Sequence, residues 1–223
     1  MRAALLRAPR KFELVERDRP RPAPGEVVVR TAATAVCHTD LSIYTGEHPG
    51  VRYPVVLGHE STGTVDSVGE GVANLHAGNA VIINPIIACG HCDACRRGVG
   101  NACRNAGLFG RELDGSLSQY VKLPAQYLYA LPAGLSLKAA TLIETLATVR
   151  HAQLRAGVAP GESVVVLGQG TGGLLHTRLA APARANPGIA LARPRREPGV
   201  GPRTGGRAAR AASAGGAGGG RAG

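Results

Sequence analysis

The sequence is poor in aromatic residues, which make up 3% of its 223 residues, and it has no tryptophan. Proteins that bind single-stranded nucleic acid stack bases on aromatic side chains, so this scarcity argues against specific nucleic-acid recognition. No apolar run approaches the ~20 residues of a membrane-spanning helix. The apolar stretch before Arg7 is too short for the core of a signal peptide. We therefore expect a soluble, cytoplasmic protein with no membrane partner.

The positive charge is concentrated in the last part of the chain. The formal net charge is +11, and residues 180–223 hold eight arginines against one glutamate. The remainder is much closer to neutral, so the charge does not indicate a nucleic-acid-binding body. Nearly all of residues 180–223 are Ala, Gly, Arg or Pro, a composition that cannot bury a core and predicts a disordered tail. One hypothesis is that this tail is an out-of-frame translation of a GC-rich gene.

The remaining sequence predicts a β domain followed by an α/β segment. Residues 1–130 contain short runs rich in β-branched residues, separated by Gly and Pro, which is typical of a compact, barrel-like β domain. Residues 137–156 repeat apolar residues every three or four positions, which predicts a helix. We therefore expect domain limits of 1–130 for the β domain, 131–179 for a linking helix and a βα unit, and 180–223 for the tail.

Four of the five cysteines form a cluster with metal-ligand spacing. They are Cys89, Cys92, Cys95 and Cys103, in a C-x2-C-x2-C-x7-C array. Four thiolates can close a tetrahedral zinc site that supports folding and leaves no open position. Two disulfides or an iron–sulfur cluster are the alternatives. Ferredoxin spacing places the fourth cysteine three residues on and before a proline, and the absence of an export signal favours metal over disulfides.

A second candidate metal centre begins at the fifth cysteine. Cys37-His38-Thr39-Asp40 precedes Gly58-His59-Glu60, and a thiolate with an imidazole supplies two of the three protein ligands of a catalytic zinc. The hydroxyl of Thr39 could contact whatever binds the open position. Glu144, beside the apolar face of the predicted helix, is either a third ligand or a solvated helix carboxylate.

A glycine-rich loop follows a predicted buried strand at 162–167. The sequence Gly168-Gln-Gly170-Thr171-Gly172-Gly173 has the G-x-G-x-x-G pattern and runs into an apolar helix start, the order found in dinucleotide-binding folds. Backbone N–H groups at such a helix start can face a pyrophosphate. The alternative is an ordinary strand-to-helix turn. No acidic residue occurs from Ser163 to Arg196, so the expected ribose-binding carboxylate and second strand are not recognisable.

Together these motifs resemble the zinc-dependent medium-chain alcohol dehydrogenases over roughly residues 1–179. The resemblance implies a mostly β, GroES-like barrel domain with a structural-zinc lobe at 89–103, then an incomplete Rossmann segment and the disordered tail. It also implies two zinc ions per chain, one catalytic and one structural, with NAD or NADP as cofactor. The implied reaction is hydride transfer from an alcohol or polyol, impaired here because most of the nucleotide domain is missing.

The resemblance also assigns roles to individual residues. Cys37, His59 and Glu144 resemble the catalytic zinc ligands, with glutamate as third ligand as in the polyol and threonine dehydrogenase branches. Thr39 resembles the hydroxyl that takes the substrate proton, and His38 the group near the cofactor pyrophosphate. Asp40 and Glu60 resemble carboxylates that support the ligands. Ser42 and Thr145 depart from a relay histidine and a common proline, respectively.

Two other classes of function stay open at this point. One is a non-catalytic zinc-binding module that folds around the four-cysteine site. The other, ranked last, is salt-sensitive nucleic-acid binding through the arginine-rich tail. The resemblance implies a homo-oligomer, and we expect most of the interface to be missing from this sequence.

Overall fold

The structure is a computed structural model that describes residues 1–180 and the backbone of residues 186–191 and 208–209. The chain divides into two compact units, Met1–Glu144 and Thr145–Gly223.

The first unit is built mainly from short strands. Within residues 1–144 they are β1 (Arg2–Ala8), β2 (Lys11–Glu16), β3 (Glu26–Ala35), β4 (Val55–Val56), β5 (Glu60–Val68), β6 (Ala80–Ile83), β7 (Ile86–Ile87), β8 (Gly107–Leu108), β9 (Tyr120–Pro124) and β10 (Leu128–Ala130). The α-helices that lie wholly within this range are α1 (His38–Thr45), α2 (Asp93–Arg96) and α3 (Leu137–Ala140). This content of strands confirms the predicted mostly β fold.

The core lies against a five-stranded sheet with the order β10-β6-β5-β3-β9. β3 pairs antiparallel with both β5 and β9, and it contributes Val27 and Val29, which are fully buried. Val65, Val81 and Val121 from the neighbouring strands complete the centre of this cluster. Burying branched side chains on one sheet face contributes about 1.5–3 kcal/mol each relative to leaving them exposed. A second sheet, with the order β2-β1-β4, carries a smaller apolar cluster.

The pairing of β3 with β5 brings the two sequence motifs together. Ala35, the last residue of β3, is the partner of Glu60, the first residue of β5. Cys37 therefore follows one strand, and His59 precedes the other, at the same end of the pair. The turn before His59 requires a glycine, because Gly58 has φ +95° and a Cβ there would lie 2.7 Å from Cγ2 of Thr34.

Contacts of the first unit continue past residue 130. α3 packs on β3 and β5, and the hydroxyl of Thr62 donates a 2.7 Å hydrogen bond to the carbonyl of Leu137. The helix predicted over 137–156 is interrupted at Thr141, so α3 is followed by a separate helix, α4 (Leu142–Ala156). α4 begins in the first unit and continues into the second.

The second unit contains a βαβ arrangement. β11 (Ser163–Leu167) leads into α5 (Thr171–Ala180), and the backbone then forms β12 (Asn186–Leu191) and β13 (Ala208–Ala209). β12 pairs parallel with β11 and antiparallel with β13. The second strand was not recognisable from the sequence, because its proline and glycine obscure the β pattern. Pairing with β11 satisfies backbone groups that a lone strand would leave without partners.

The rest of the predicted disordered tail, with the out-of-frame hypothesis attached to it, lies outside the described residues. In the part of the chain that the structure does describe, no helix is both long and apolar enough to cross a bilayer.

Candidate metal centre

The four clustered cysteines converge as predicted from their spacing. The ligand atoms of Cys89, Cys92, Cys95 and Cys103 all lie within 4.8 Å of one another. Sγ of Cys92 lies 3.5 Å from Sγ of Cys95 and 3.7 Å from Sγ of Cys103, and all four thiols are free. Zinc binds thiolates at about 2.3 Å, which places the sulfurs of a tetrahedral site ~3.8 Å apart. The lobe fits a zinc ion, and its thiols are not paired in disulfides.

The local backbone prepares these thiols for a cation. Cys92 precedes α2, and the N–H of Cys89 donates a 3.3 Å hydrogen bond to Sγ of Cys103. A hydrogen bond from the backbone of Cys95 is the largest contribution that lowers the pKa of Cys92, to about 6. Burial and the neighbouring thiols raise the pKa of Cys95 to about 12. The four thiols cannot all ionise side by side without a compensating positive charge, which a divalent cation supplies.

The second group of ligands comes from the ends of β3 and β5. The ligand atoms of Cys37, His59 and Glu60 lie within 4.8 Å of one another. His59 is 5% exposed and Glu60 is 7% exposed. Buried charged groups are rare unless they are paired or bind a metal. A thiolate, an imidazole and a carboxylate are the donor types that zinc prefers, so this group also fits a zinc ion.

Asp40 connects the two segments that carry these ligands. Its Oδ2 accepts a 2.9 Å hydrogen bond from the N–H of Cys37, and its Oδ1 accepts one of 3.1 Å from the N–H of Gly58. Oδ1 also lies 3.5 Å from Nδ1 of His59, a separation too long for a good hydrogen bond. Nδ1 accordingly has no hydrogen-bond partner among the described residues. Asp40 thus fixes the positions of the two ligand-bearing turns and faces one side of the imidazole.

The same contacts shift the pKa values of this pair. Burial acts to raise the pKa of Asp40, but the imidazole of His59 and the two backbone N–H groups outweigh it, and the pKa is lowered. Burial acts to lower the pKa of His59, but Asp40, and then Glu144 and Glu60, outweigh it, and the pKa is raised. The acidic side chains therefore make this site attractive to a positive charge.

Glu144 lies in the first turn of α4, outside the group whose ligand atoms converge. Burial, and then the charge of Glu60, raise the pKa of Glu144, while His59 acts to lower it. Of the three ligands predicted from the sequence, the structure thus brings Cys37 and His59 together with Glu60, which was expected only to support them.

Thr39 and His38 occupy the start of α1. The backbone and hydroxyl of Thr39 interact with the Cys37 thiol, although burial outweighs them and raises the pKa of that thiol. Ser42 donates a 2.9 Å hydrogen bond to the carbonyl of Thr39. His38 is exposed. Thr39 is therefore the hydroxyl beside the candidate metal ligands, and His38 faces solvent.

The glycine loop in the second unit has the geometry that its sequence predicts. Gly168 has φ +91°, and a Cβ on Gly173 would lie 1.8 Å from the carbonyl oxygen of Gly168. Only glycine at 173 lets α5 start this close to the end of β11. Around Gly170 and Gly172 a Cβ would meet nothing within 4 Å, so there is open space beside the loop. Thr171 is the first residue of α5.

The β domain and its two cysteine-containing sites are typical of one class of protein, the zinc-type medium-chain dehydrogenases. Comparison with known proteins agrees with this class. Residues 23–133 match the alcohol dehydrogenase GroES-like domain. The chain contains the GroES-like domain of the zinc-dependent medium-chain alcohol dehydrogenases, and its relatives belong to that family.

Individual relatives show how far the similarity extends. The chain is 39% identical over 180 residues to the L-threonine 3-dehydrogenase of Pyrococcus horikoshii, a match that covers 79% of this chain and 51% of that enzyme. It superimposes with a TM-score of 0.78 and 31% identity on the cobalt- and zinc-bound thermostable alcohol dehydrogenase of Pyrobaculum aerophilum, covering 88% of this chain and 60% of that one. For galactitol-1-phosphate dehydrogenase of Escherichia coli the TM-score is 0.79 at 29% identity, with 85% and 55% coverage. The chain spans about half the length of the curated relatives it matches.

Proposed function

We propose that the protein is a zinc-dependent oxidoreductase of the alcohol dehydrogenase type, which transfers hydride from an alcohol or polyol to NAD or NADP. The observation that carries this proposal is the convergence of Cys37, His59 and Glu60 within 4.8 Å in a domain that matches the alcohol dehydrogenases. The names of the relatives, among them dehydrogenases of L-threonine, L-galactonate and galactitol 1-phosphate, support a small hydroxylated substrate.

Two zinc ions per chain follow from the two groups of ligands. Cys37, His59 and Glu60 would hold the catalytic ion, and the four cysteines of the 89–103 lobe would hold the structural one. A zinc ion at the first group would act as a Lewis acid and lower the pKa of a substrate hydroxyl. Asp40 faces Nδ1 of His59 and so leaves the other ring nitrogen to serve as the ligand, the usual arrangement of a metal-binding histidine.

Two further side chains have roles in this proposal. Thr39, beside the thiol of Cys37 and only half-buried, would relay the proton of the substrate hydroxyl: its oxygen accepts that proton as its own hydroxyl proton passes to solvent. Glu144 contributes negative charge to the site through its interactions with Glu60 and His59, and its role as a third ligand stays a prediction.

The glycine loop would bind the cofactor. The backbone N–H groups at Gly170, Thr171 and Gly172 begin α5, where the helix dipole favours the negative charge of a pyrophosphate. The close approach of Gly173 to Gly168 supports this assignment, because the third glycine of a dinucleotide fingerprint serves helix–strand packing. His38 near the pyrophosphate, the homo-oligomeric assembly and the cytoplasmic location stay predictions.

A non-catalytic zinc-binding module is the alternative, and one observation favours it. The first compact unit contains both groups of metal ligands but not the glycine loop. Such a unit could bind two zinc ions without binding any nucleotide.

One set of measurements on the full chain separates the two functions. Zinc content is measured first, then the binding of NADH and NADPH by cofactor fluorescence, and then the reduction of NAD and NADP with a panel of alcohols, polyols and hydroxy amino acids. Two zinc ions, dinucleotide binding and alcohol-dependent reduction support the oxidoreductase. Two zinc ions without dinucleotide binding would support the module and contradict the oxidoreductase.

A further inference from the structure

The second parallel strand locates a position that the sequence did not reveal. β12 lies beside β11, and Leu191, the last residue of β12, is the register partner of Leu167, the last residue of β11. Neighbouring strands lie about 4.8 Å apart. Gly168 follows Leu167 directly, so Leu191 lies at the same sheet edge as the start of the glycine loop. Ligands of open α/β sheets bind outside this edge, at the carboxyl ends of the strands.

The position of Leu191 is the one at which NAD-selective folds carry an acidic residue. There, about 20 residues past the glycines, Asp or Glu accepts hydrogen bonds from the adenosine ribose. In this chain β12 has no acidic residue, and none occurs anywhere from Ser163 to Arg196.

The missing carboxylate has two consequences for cofactor choice. A carboxylate at this edge stabilises a free ribose 2′-hydroxyl, because hydrogen bonds to charged groups are stronger than neutral ones. It also repels a 2′-phosphate through like charge at short range. Neither effect is available at Leu191. We infer that the chain does not discriminate against a 2′-phosphorylated dinucleotide, and that it binds NADPH at least as tightly as NADH.

This inference rests on the proposed function, since it requires the glycine loop to bind a dinucleotide. The test is the ratio of the two dissociation constants, measured by cofactor fluorescence on the zinc-loaded full chain. For the wild-type chain we expect NADPH to bind as tightly as NADH or more tightly. Leu191→Asp should shift the ratio toward NADH by about 10- to 100-fold, the effect of one charged hydrogen-bond acceptor.

Two control variants show whether a change in the ratio of dissociation constants is caused by the charge at position 191. Leu191→Asn has nearly the same size as Leu191→Asp but no charge, and it should shift the ratio by less than Leu191→Asp does, since a neutral acceptor contributes less than a charged one and does not repel a 2′-phosphate. Gly173→Ala, whose Cβ would meet the carbonyl of Gly168, should weaken both cofactors together and leave the ratio unchanged.

The outcomes separate this inference from the proposed function. A wild-type preference for NADH of tenfold or more, or a Leu191→Asp variant that binds cofactor with an unchanged ratio, would overturn the inference and leave the oxidoreductase in place. Failure of the wild-type chain to bind either cofactor would contradict both. If Leu191→Asp does not fold, the wild-type ratio alone decides.

Discussion

Replacing Gly58 with alanine should damage both the stability of the β domain and its first metal centre. Gly58 has φ +95°, and an added Cβ would lie 2.7 Å from Cγ2 of Thr34 and 2.8 Å from Oγ of Ser116. The N–H of Gly58 also holds Asp40, and its carbonyl accepts a 3.0 Å hydrogen bond from the N–H of Ser116. Because the turn is enclosed on these sides, the new methyl group can be accommodated only if the backbone before His59 moves.

Comparison with a second glycine, Gly78, separates the expected loss of stability into backbone strain and overpacking. Gly78 has φ +92°, and a Cβ there would meet nothing within 4 Å, so Gly78→Ala carries only the backbone strain of about 1–2 kcal/mol. Gly58→Ala carries that strain and a further 1–3 kcal/mol, roughly, for overpacking. We therefore expect a loss of about 2–5 kcal/mol in the free energy of unfolding for Gly58→Ala, and of about 1–2 kcal/mol for Gly78→Ala.

The assay is urea unfolding of the zinc-loaded wild-type chain and both variants, with zinc content measured on the same samples. Gly58→Ala should also lose zinc from the first centre, and Gly78→Ala should not. Equal losses of stability in the two variants would refute the steric argument. Full zinc content in Gly58→Ala would refute the link between this turn and the metal ligands.

Three further predictions concern single side chains. Glu60→Ala should abolish zinc binding at the first centre, whereas Glu144→Ala should weaken it by no more than the 10- to 100-fold typical of a supporting residue. Competition with a zinc chelator measures both affinities. The reverse order of effects would identify Glu144 as the ligand. Thr39→Val should keep two zinc ions and lower alcohol-dependent turnover by about 10²–10⁴-fold. Thr39→Ser should keep both the zinc ions and the turnover. A valine variant with full turnover would show that Thr39 has no part in the mechanism. The pKa of Glu26 is lowered, first by the hydrogen bond from Lys122, 2.8 Å away, and then by the N–H of Ala23. A lowered pKa stabilises the folded protein at pH values above the unfolded pKa of about 4.3, and this stabilisation is lost as the pH falls through the folded pKa. Glu26→Gln should therefore lower the free energy of unfolding by up to about 1 kcal/mol at pH 7 and by nothing in more acidic solution. A loss of stability that does not change with pH would contradict this prediction.

The features that the sequence predicts well are those with a local signal. The four-cysteine lobe depends on one short loop and its spacing, and the glycine loop depends on a strand, three glycines and a helix start in a fixed order. Both have the expected geometry. The β character of residues 1–130 follows in the same way from short runs of branched residues between glycines and prolines.

The features that the sequence missed depend on contacts between distant residues. The closeness of Glu60 to Cys37 and His59 depends on the pairing of β3 with β5, which brings residues 25 positions apart to the same end of two strands. The strand at Asn186–Leu191 has little β propensity, and its partner in β11 determines its conformation. The position of α3 also depends on distant residues, because this helix packs on strands that lie far earlier in the chain.

The most direct test of the central claim is the zinc content of the purified chain, compared between the wild type, Cys37→Ser and Cys92→Ser by elemental analysis. Since Cys37 and Cys92 belong to separate ligand groups, the wild type should contain two zinc ions per chain and each variant one. A wild-type chain with a single zinc ion, or a Cys37→Ser variant that retains two, would contradict a metal centre formed by Cys37, His59 and Glu60.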